Sequence, residues 1–164
     1  MKTTIWIITF FIVANVIRAQ TVITGKYRDH LGSHVELRSD SSFKYEWHFD
    51  LTSSWTTGTW SNHNDTIIFS IKLVYDTLRL HNEIPKKETD TLVLSLDEKI
   101  DILSPEEYAL TKITSGQQNG SKMPEKLFYK KGRLYNIDLN GKIVTKKIRV
   151  FGSNKKYEPW YVIQ

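Results

Sequence analysis

The sequence predicts an all-β chain, an antiparallel up-and-down barrel or strongly curled sheet of about eight to ten short strands with at most one short helical turn. Three observations carry that expectation. From Ser42 to Asp50, Phe43, Tyr45, Trp47 and Phe49 fall at every second position, with polar or charged residues between them. This is the two-residue period of a strand with one apolar and one wet face. Short runs rich in β-branched and aromatic residues then recur along the chain between clusters of Gly, Asn, Asp and Ser, the punctuation of successive hairpins. Finally, no segment carries the long three-to-four-residue apolar stripe of an amphipathic helix.

Taken in order, Gly25-Lys26-Tyr27 opens the domain, and Val35 and Leu37 alternate with Glu36 and Arg38. Ser39-Asp40-Ser41 is a turn leading into the aromatic strand Phe43 to Phe49, and Trp55 to Trp60 forms the next strand before the turn cluster Ser61-Asn62-His63-Asn64. Asp65-Thr66-Ile67, Asp76-Thr77-Leu78 and Asp90-Thr91-Leu92 each set a turn-favouring Asp before a β-branched Thr and an aliphatic residue. Their spacing fits short antiparallel strands, each starting after a turn. Ser104-Pro105-Glu106-Glu107 has the cap, first-turn proline and third-position Glu of a helix start. Tyr108, Leu110 and Lys112 continue no helical stripe, so a single turn is expected to lead into a strand over Tyr108–Ile113. Ser115 to Ser121 reads as a mobile loop on composition. Lys131-Gly132 and Asn140-Gly141 are hairpin turns, the second joining Ile137 and Leu139 to Ile143. A shift of apolar phase between Val144 and Phe151 predicts a bulge near Lys146-Lys147.

Residues 1–19 read as a signal peptide, with Lys2 at its start, an apolar run from Ile5 to Val16 and cleavage between Ala19 and Gln20. That run is short of the ~20 residues that span a bilayer. Removing nineteen residues from 164 leaves 145 for a single β-barrel-like domain, 20–164. No second apolar run follows, so no transmembrane span is expected in the mature chain. An exported chain without cysteine has neither disulfides nor a thiolate metal site, which suits a bacterial envelope better than animal secretion. The expected location is periplasmic or secreted. Charge is uneven: residues 20–121 hold ten Lys/Arg against fifteen Asp/Glu, and residues 122–164 hold eleven against three. The basic end suits phosphates of lipopolysaccharide, anionic lipid or nucleic acid. It equally suits solvated strand faces that keep a protein soluble.

The run from Gly25-x-Tyr27, through Leu37-x3-Ser41-x-Phe43-x-Tyr45, to Gly58-x-Trp60 and Asp65-Thr66-Ile67 resembles small exported bacterial proteins of the lipocalin-like, or calycin-like, group. The resemblance implies a glycine–aromatic start to the first strand and an up-and-down barrel able to carry a ligand. Tyr27 stands where lipocalins place the Trp of their first-strand G-x-W, and the intact Gly58-Thr59-Trp60 falls strands later.

Candidate ligand-binding residues are Tyr45, Trp47 and Phe49, which with Phe43 either fill a core or line a cavity. Trp55 and Trp60 join them. Five positions apart, they face opposite ways on an unbroken strand, so one is expected at the rim or surface unless Gly58 marks a bulge. The polar face of the aromatic strand carries Lys44, Glu46, His48 and Asp50. His48-x-Asp50 and His63-x-Asp65 each set an imidazole and a carboxylate on one strand face, a weak metal-ligand candidacy, with His30 and His34 preceding them. The alternative is a solvated face with cross-strand ion pairs. No metal site, cofactor or catalytic residue is assigned. A carboxylate pair such as Glu46 and Asp90 would have to converge in space. Tyr129, Lys130, Lys131, Arg133 and Tyr135 only faintly suggest nucleic-acid binding, which export argues against, so no nucleic-acid partner is expected.

The favoured function is an exported non-catalytic β-barrel binding or structural module of the bacterial cell envelope. The alternatives are a lipocalin-like carrier of a small apolar ligand and an envelope hydrolase with a site assembled across strands. Possible partners are such a ligand or a cell-envelope component.

Overall fold

A computed structural model describes residues 23–83, 86–111, 113, 116–119, 123–149 and 152–164. The predicted signal peptide and its cleavage at Ala19–Gln20 lie outside them. The chain starts as an antiparallel meander, β1 (Gly25–Arg28), β2 (Ser33–Leu37), β3 (Ser42–Phe49), β4 (Thr52–His63) and β5 (Thr66–Lys72). It then leaves on a first excursion, residues 73–125, containing β6 (Tyr75–Glu83), β7 (Lys86–Leu94), β8 (Ile102–Leu103), the helix α1 (Pro105–Thr111) and β9 (Gln117–Gln118). It returns as β10 (Lys126–Lys130) beside β5, and β11 (Arg133–Asn136) follows. A second excursion, residues 137–159, holds β12 (Ile148–Arg149) and β13 (Lys156–Tyr157). The last strand, β14 (Trp160–Ile163), pairs antiparallel with both β11 and β1. Eight strands, β1 to β5, β10, β11 and β14, thus close an antiparallel up-and-down barrel in chain order, as the sequence predicts.

Tight turns mark one end. Asn64-Asp65 and Lys131-Gly132 all have positive φ (50°, 61°, 52° and 75°), as two-residue hairpins in a right-twisted sheet require. Connections alternate between ends in an up-and-down barrel. The opposite end therefore carries the β1–β2 loop, the β3–β4 turn and both excursions.

Strand pairing puts aromatic residues of β3 against small residues of β4 on the inner face. Trp47 faces Ser54, Tyr45 faces Thr56 and Phe43 faces Gly58. Gly58 has no substitute, because a Cβ there would fall 2.0 Å from the Ser70 carbonyl oxygen of β5. The interior is one packed cluster in which Tyr27, Val35, Leu37, Phe43, Tyr45, Ile67, Leu127, Tyr129, Leu134 and Tyr161 are buried, with Trp47, Trp60 and Phe69 against it. Phe43 meets Phe69 edge to face at 4.9 Å. Each such side chain taken from water contributes about 1.5–3 kcal/mol, which is how a domain without disulfides is held together.

Five sequence expectations need correction. Phe49 leaves the core, at 65% exposure; it ends β3 beyond the barrel wall and stacks on Trp47 at 6.1 Å. Tyr108–Ile113 is not a strand, because Pro105–Thr111 is helical. Its start is closed by a reciprocal box, with Glu107 N donating to Ser104 Oγ (3.2 Å) and Ser104 N donating to Glu107 Oε2 (2.8 Å). That box outweighs the missing apolar stripe, since the helix rests against β6 and β8 and buries no residue of its own. The Asp-Thr-aliphatic repeats are not three equivalent strand starts. Only Asp65 lies in a turn, while Asp76 and Asp90 lie within β6 and β7 and pair with Val93 and Arg79. Within the predicted loop 115–121, Gln117 and Gln118 form β9, parallel to Ser54 and Trp55 of β4. The phase shift around Lys146-Lys147 is not a bulge in a barrel strand. The chain has left the barrel, and Ile148–Arg149 pairs with Lys156–Tyr157, while Ile137 and Ile143 keep one bridge across Asn140-Gly141.

Candidate functional site

Two regions gather chemistry, the barrel interior and the outer face of β3 and β4. Inside, towards the end that carries the excursions, Ser33 of β2 lies against Tyr45 of β3, whose hydroxyl donates to Ser33 Oγ at 3.2 Å. Tyr161 of β14 hydrogen-bonds within the same group, to Ser33 and Tyr45. Nearby, Asp29 Oδ1 accepts from Leu31 N and Ser33 N, both at 2.8 Å, fixing the β1–β2 loop. Burial, and then the neighbouring Tyr45 and Asp29 charges, drive the Tyr161 hydroxyl well above the ordinary tyrosine range. Burial likewise raises Tyr45 and pushes Tyr27 up to about 12. These hydroxyls stay protonated at any physiological pH. They are packing groups with a polar tip rather than acids or bases. Beside them, Ser54 Oγ and Thr56 Oγ1 are buried with no hydrogen-bond partner among the described residues.

The outer face is held by charge. Glu98, in the first excursion, bridges Arg38 (3.3 Å) and Lys44 (3.1 Å). Lys44 also reaches Glu46 at 3.0 Å, and Arg38 reaches Glu36 at 3.4 Å. Burial disfavours the Glu98 carboxylate, but hydrogen bonds from Lys44 and Arg38 outweigh it and hold its pKa below the usual range. Trp55 extends the docking. It points outward from β4, lies only 6% exposed under the excursion, and donates its indole N–H to the Leu96 carbonyl. Gln118 completes the seam, accepting from Val74 N (2.9 Å) and donating to the carbonyls of Val74 (2.6 Å) and Ser95 (3.0 Å). A cleft of about 180 Å³ remains between Lys44, His48, Trp55 and Asp97, smaller than the several hundred Å³ usual for a ligand pocket.

The structure therefore divides the predicted ligand residues. Tyr45 lies within the interior, and Trp47 and Trp60 pack against it. Phe49 is outside, and Trp55 is sealed under an excursion. Trp55 and Trp60 do face opposite ways, yet neither is an exposed rim residue, because the excursion covers the outward one. Trp60 donates its N–H to the Arg38 carbonyl at 3.1 Å. The metal candidates are not brought together. His48 stands at the β3–β4 end of the barrel and His63 at the β4–β5 end. Asp50 and Asp65 have φ of 54° and 61°, so each lies in a turn past its histidine's strand and shares no strand face with it. Among the described residues no three His, Asp or Glu side chains gather as a metal-binding group. Glu46 pairs with Lys44, and Asp90 pairs with Arg79 at 3.6 Å; each carboxylate is held by its own cation. Tyr129 is buried, while Tyr135 lies on the outer face beside Trp160, so that stretch presents no row of exposed bases and rings.

Sequence reading passed over Ser54 and Thr56. Their signal was the period-two set Ser54, Thr56, Gly58, Trp60, small residues that leave room for the β3 aromatics across the pair. Among the described residues no helix is long and apolar enough to cross a membrane. No protein-family model, curated protein or solved structure matches the chain.

Proposed function

We propose that the chain is an exported, non-catalytic β-barrel module of a bacterial cell envelope, lipocalin-like in build, that binds through its outer surface. The observation that carries this reading is the filled interior: the buried aromatics from Tyr27 to Tyr161 form one cluster and touch one another rather than a space. Small barrels filled by their own side chains are stable platforms, and their binding lies in the loops and outer faces. The carboxylate pair considered for a hydrolase does not converge: Glu46 is engaged by Lys44 and Asp90 by Arg79, which counts against general acid–base work by those two groups.

A second reading has one observation in its favour. Ser54 Oγ and Thr56 Oγ1 are inward and unpartnered, and buried hydroxyls normally find a partner. A small carried molecule with one polar group would supply it. Native mass spectrometry of the mature protein from its own host separates the two. The surface module leaves the bare chain mass. A retained organic ligand, lost in Ser54→Val with Thr56→Val, would replace it with the carrier.

A further inference from the structure

The two excursions carry opposite charge and sit on opposite walls. Residues 73–125 contain six Lys/Arg and ten Asp/Glu, and residues 137–159 contain six Lys/Arg and two Asp/Glu. The acidic excursion is tied to β3 and β4 through Glu98, Leu96 and β9. The basic one joins β11 to β14, and these strands lie across the barrel from β3 and β4 in the strand order. Among the described residues of the basic excursion the ion pair present is Lys147 with Glu158, at 3.0 Å. Hydrogen bonding from Lys147, then the charges of Arg133 and His30, keep the Glu158 carboxylate low in pKa. Lys142, Lys146, Arg149, Lys155 and Lys156 face solvent.

Apolar side chains stand exposed among these cations. Leu139 lies at the tip of the Asp138–Lys142 turn and is fully exposed. The turn is braced by Asp138 Oδ1, which accepts from Asn140 N (2.9 Å) and Lys142 N (2.8 Å). Leucine is thus presented on a fixed tip rather than a loose one. Ile143 and Ile148 are also exposed. A braced apolar tip in an excursion rich in exposed cations complements a surface of anionic headgroups over hydrocarbon.

We propose that the basic excursion is a docking surface for an anionic lipid membrane, with Leu139 entering the headgroup boundary and Lys142, Lys146, Lys155 and Lys156 meeting lipid phosphates. This rests on the reading of the barrel as a surface-binding module. The acidic excursion, on the far wall, would then turn away from the membrane.

The test is sedimentation with vesicles of phosphatidylglycerol in phosphatidylcholine, against pure phosphatidylcholine. It uses the chain from Gln20 onward, which holds all eight barrel strands and closes through β14–β1 without the apolar leader. Binding is expected to anionic vesicles alone and to weaken with salt. Lys146→Glu with Lys155→Glu should lower the partition coefficient at least tenfold, from about fivefold per lost cation. Leu139→Ser should lower it severalfold, with melting temperature unchanged in each variant. Lys99→Glu, a cation lost from the acidic excursion, should leave binding unaltered. Equal binding to neutral vesicles, an equal loss in Lys99→Glu, or tighter binding to a single-stranded oligonucleotide than to vesicles would each overturn the proposal. Absent vesicle binding by a ligand-free barrel sinks this inference alone; absent binding by a barrel that retains a ligand sinks the surface-module reading with it.

Discussion

Trp55 is the clamp between barrel and first excursion, and truncating it should free that excursion while leaving the barrel closed. The ring is 6% exposed on the outer wall of β4, and its N–H is given to Leu96. Removing a buried indole costs about 3–5 kcal/mol when the site cannot collapse. Because the contact joins two parts rather than sitting within the barrel, the loss falls on the local opening of residues 73–119. At about 1.4 kcal/mol per tenfold, amides of β6, β7 and β8 in Trp55→Ala should exchange with solvent roughly a hundredfold to several thousandfold faster. Trp55→Phe keeps the ring but leaves the Leu96 carbonyl short of a donor, about 1–2 kcal/mol, and should accelerate the same amides about tenfold. Hydrogen exchange read by mass spectrometry checks this, with peptides from β1, β2, β10 and β11 as the internal reference. Equal acceleration of reference and excursion peptides would refute the argument, since Trp55 would then belong to the barrel core. So would an unchanged excursion.

Two further outcomes follow from the same geometry. Phe43→Ala should cost about 3–5 kcal/mol in urea unfolding, whereas Phe49→Ala, at the end of the same strand, should stay within ~0.5 kcal/mol; comparable losses would put Phe49 back in the core. Tyr27, Tyr45 and Tyr161 are raised in the folded state, chiefly by burial, so their contribution to stability is complete below about pH 10. It drains away as pH rises above that, for Tyr27 through about 12, because the unfolded chain releases protons that the barrel retains. Tyrosinate absorbance should show the exposed tyrosines ionising first and the core set only with unfolding; a single transition near 10 in an intact barrel would contradict this.

The strand alternation made the barrel legible. Phe43 and Tyr45 declared the inner face of β3, Lys131-Gly132 declared a hairpin, and the lack of an apolar helical stripe removed the helical classes. The sequence was least legible where neighbours decide. Phe49 obeys the alternation of Phe43 to Trp47 but leaves the core, because periodicity marks a face and cannot say where the wall ends. Trp55 obeys an outward phase but is buried by residues some forty positions later. Ser54 and Thr56 carry no apolar signal of their own, and their cross-strand aromatics make them interior. The two His-x-Asp pairs do not share a face for a related reason: Asp50 and Asp65 sit two residues after a histidine, yet positive φ in a turn breaks the alternation on which a shared face depends.

Closure of β14 on β1 sets the order in which the molecule can be made. Every barrel strand has two neighbours only after the final strand has arrived, and the chain must first carry two excursions out and back. Until then β1 offers an open edge, ready to pair with the edge of another incomplete copy. Contacts between the first and last strands span almost the whole domain, the kind of long-range pairing that slows folding. A chain of this design gains most from being kept unpaired until its C-terminal residues are free. Its weakest moment is the interval before Trp160–Ile163 slots into the gap, not any state of the finished barrel.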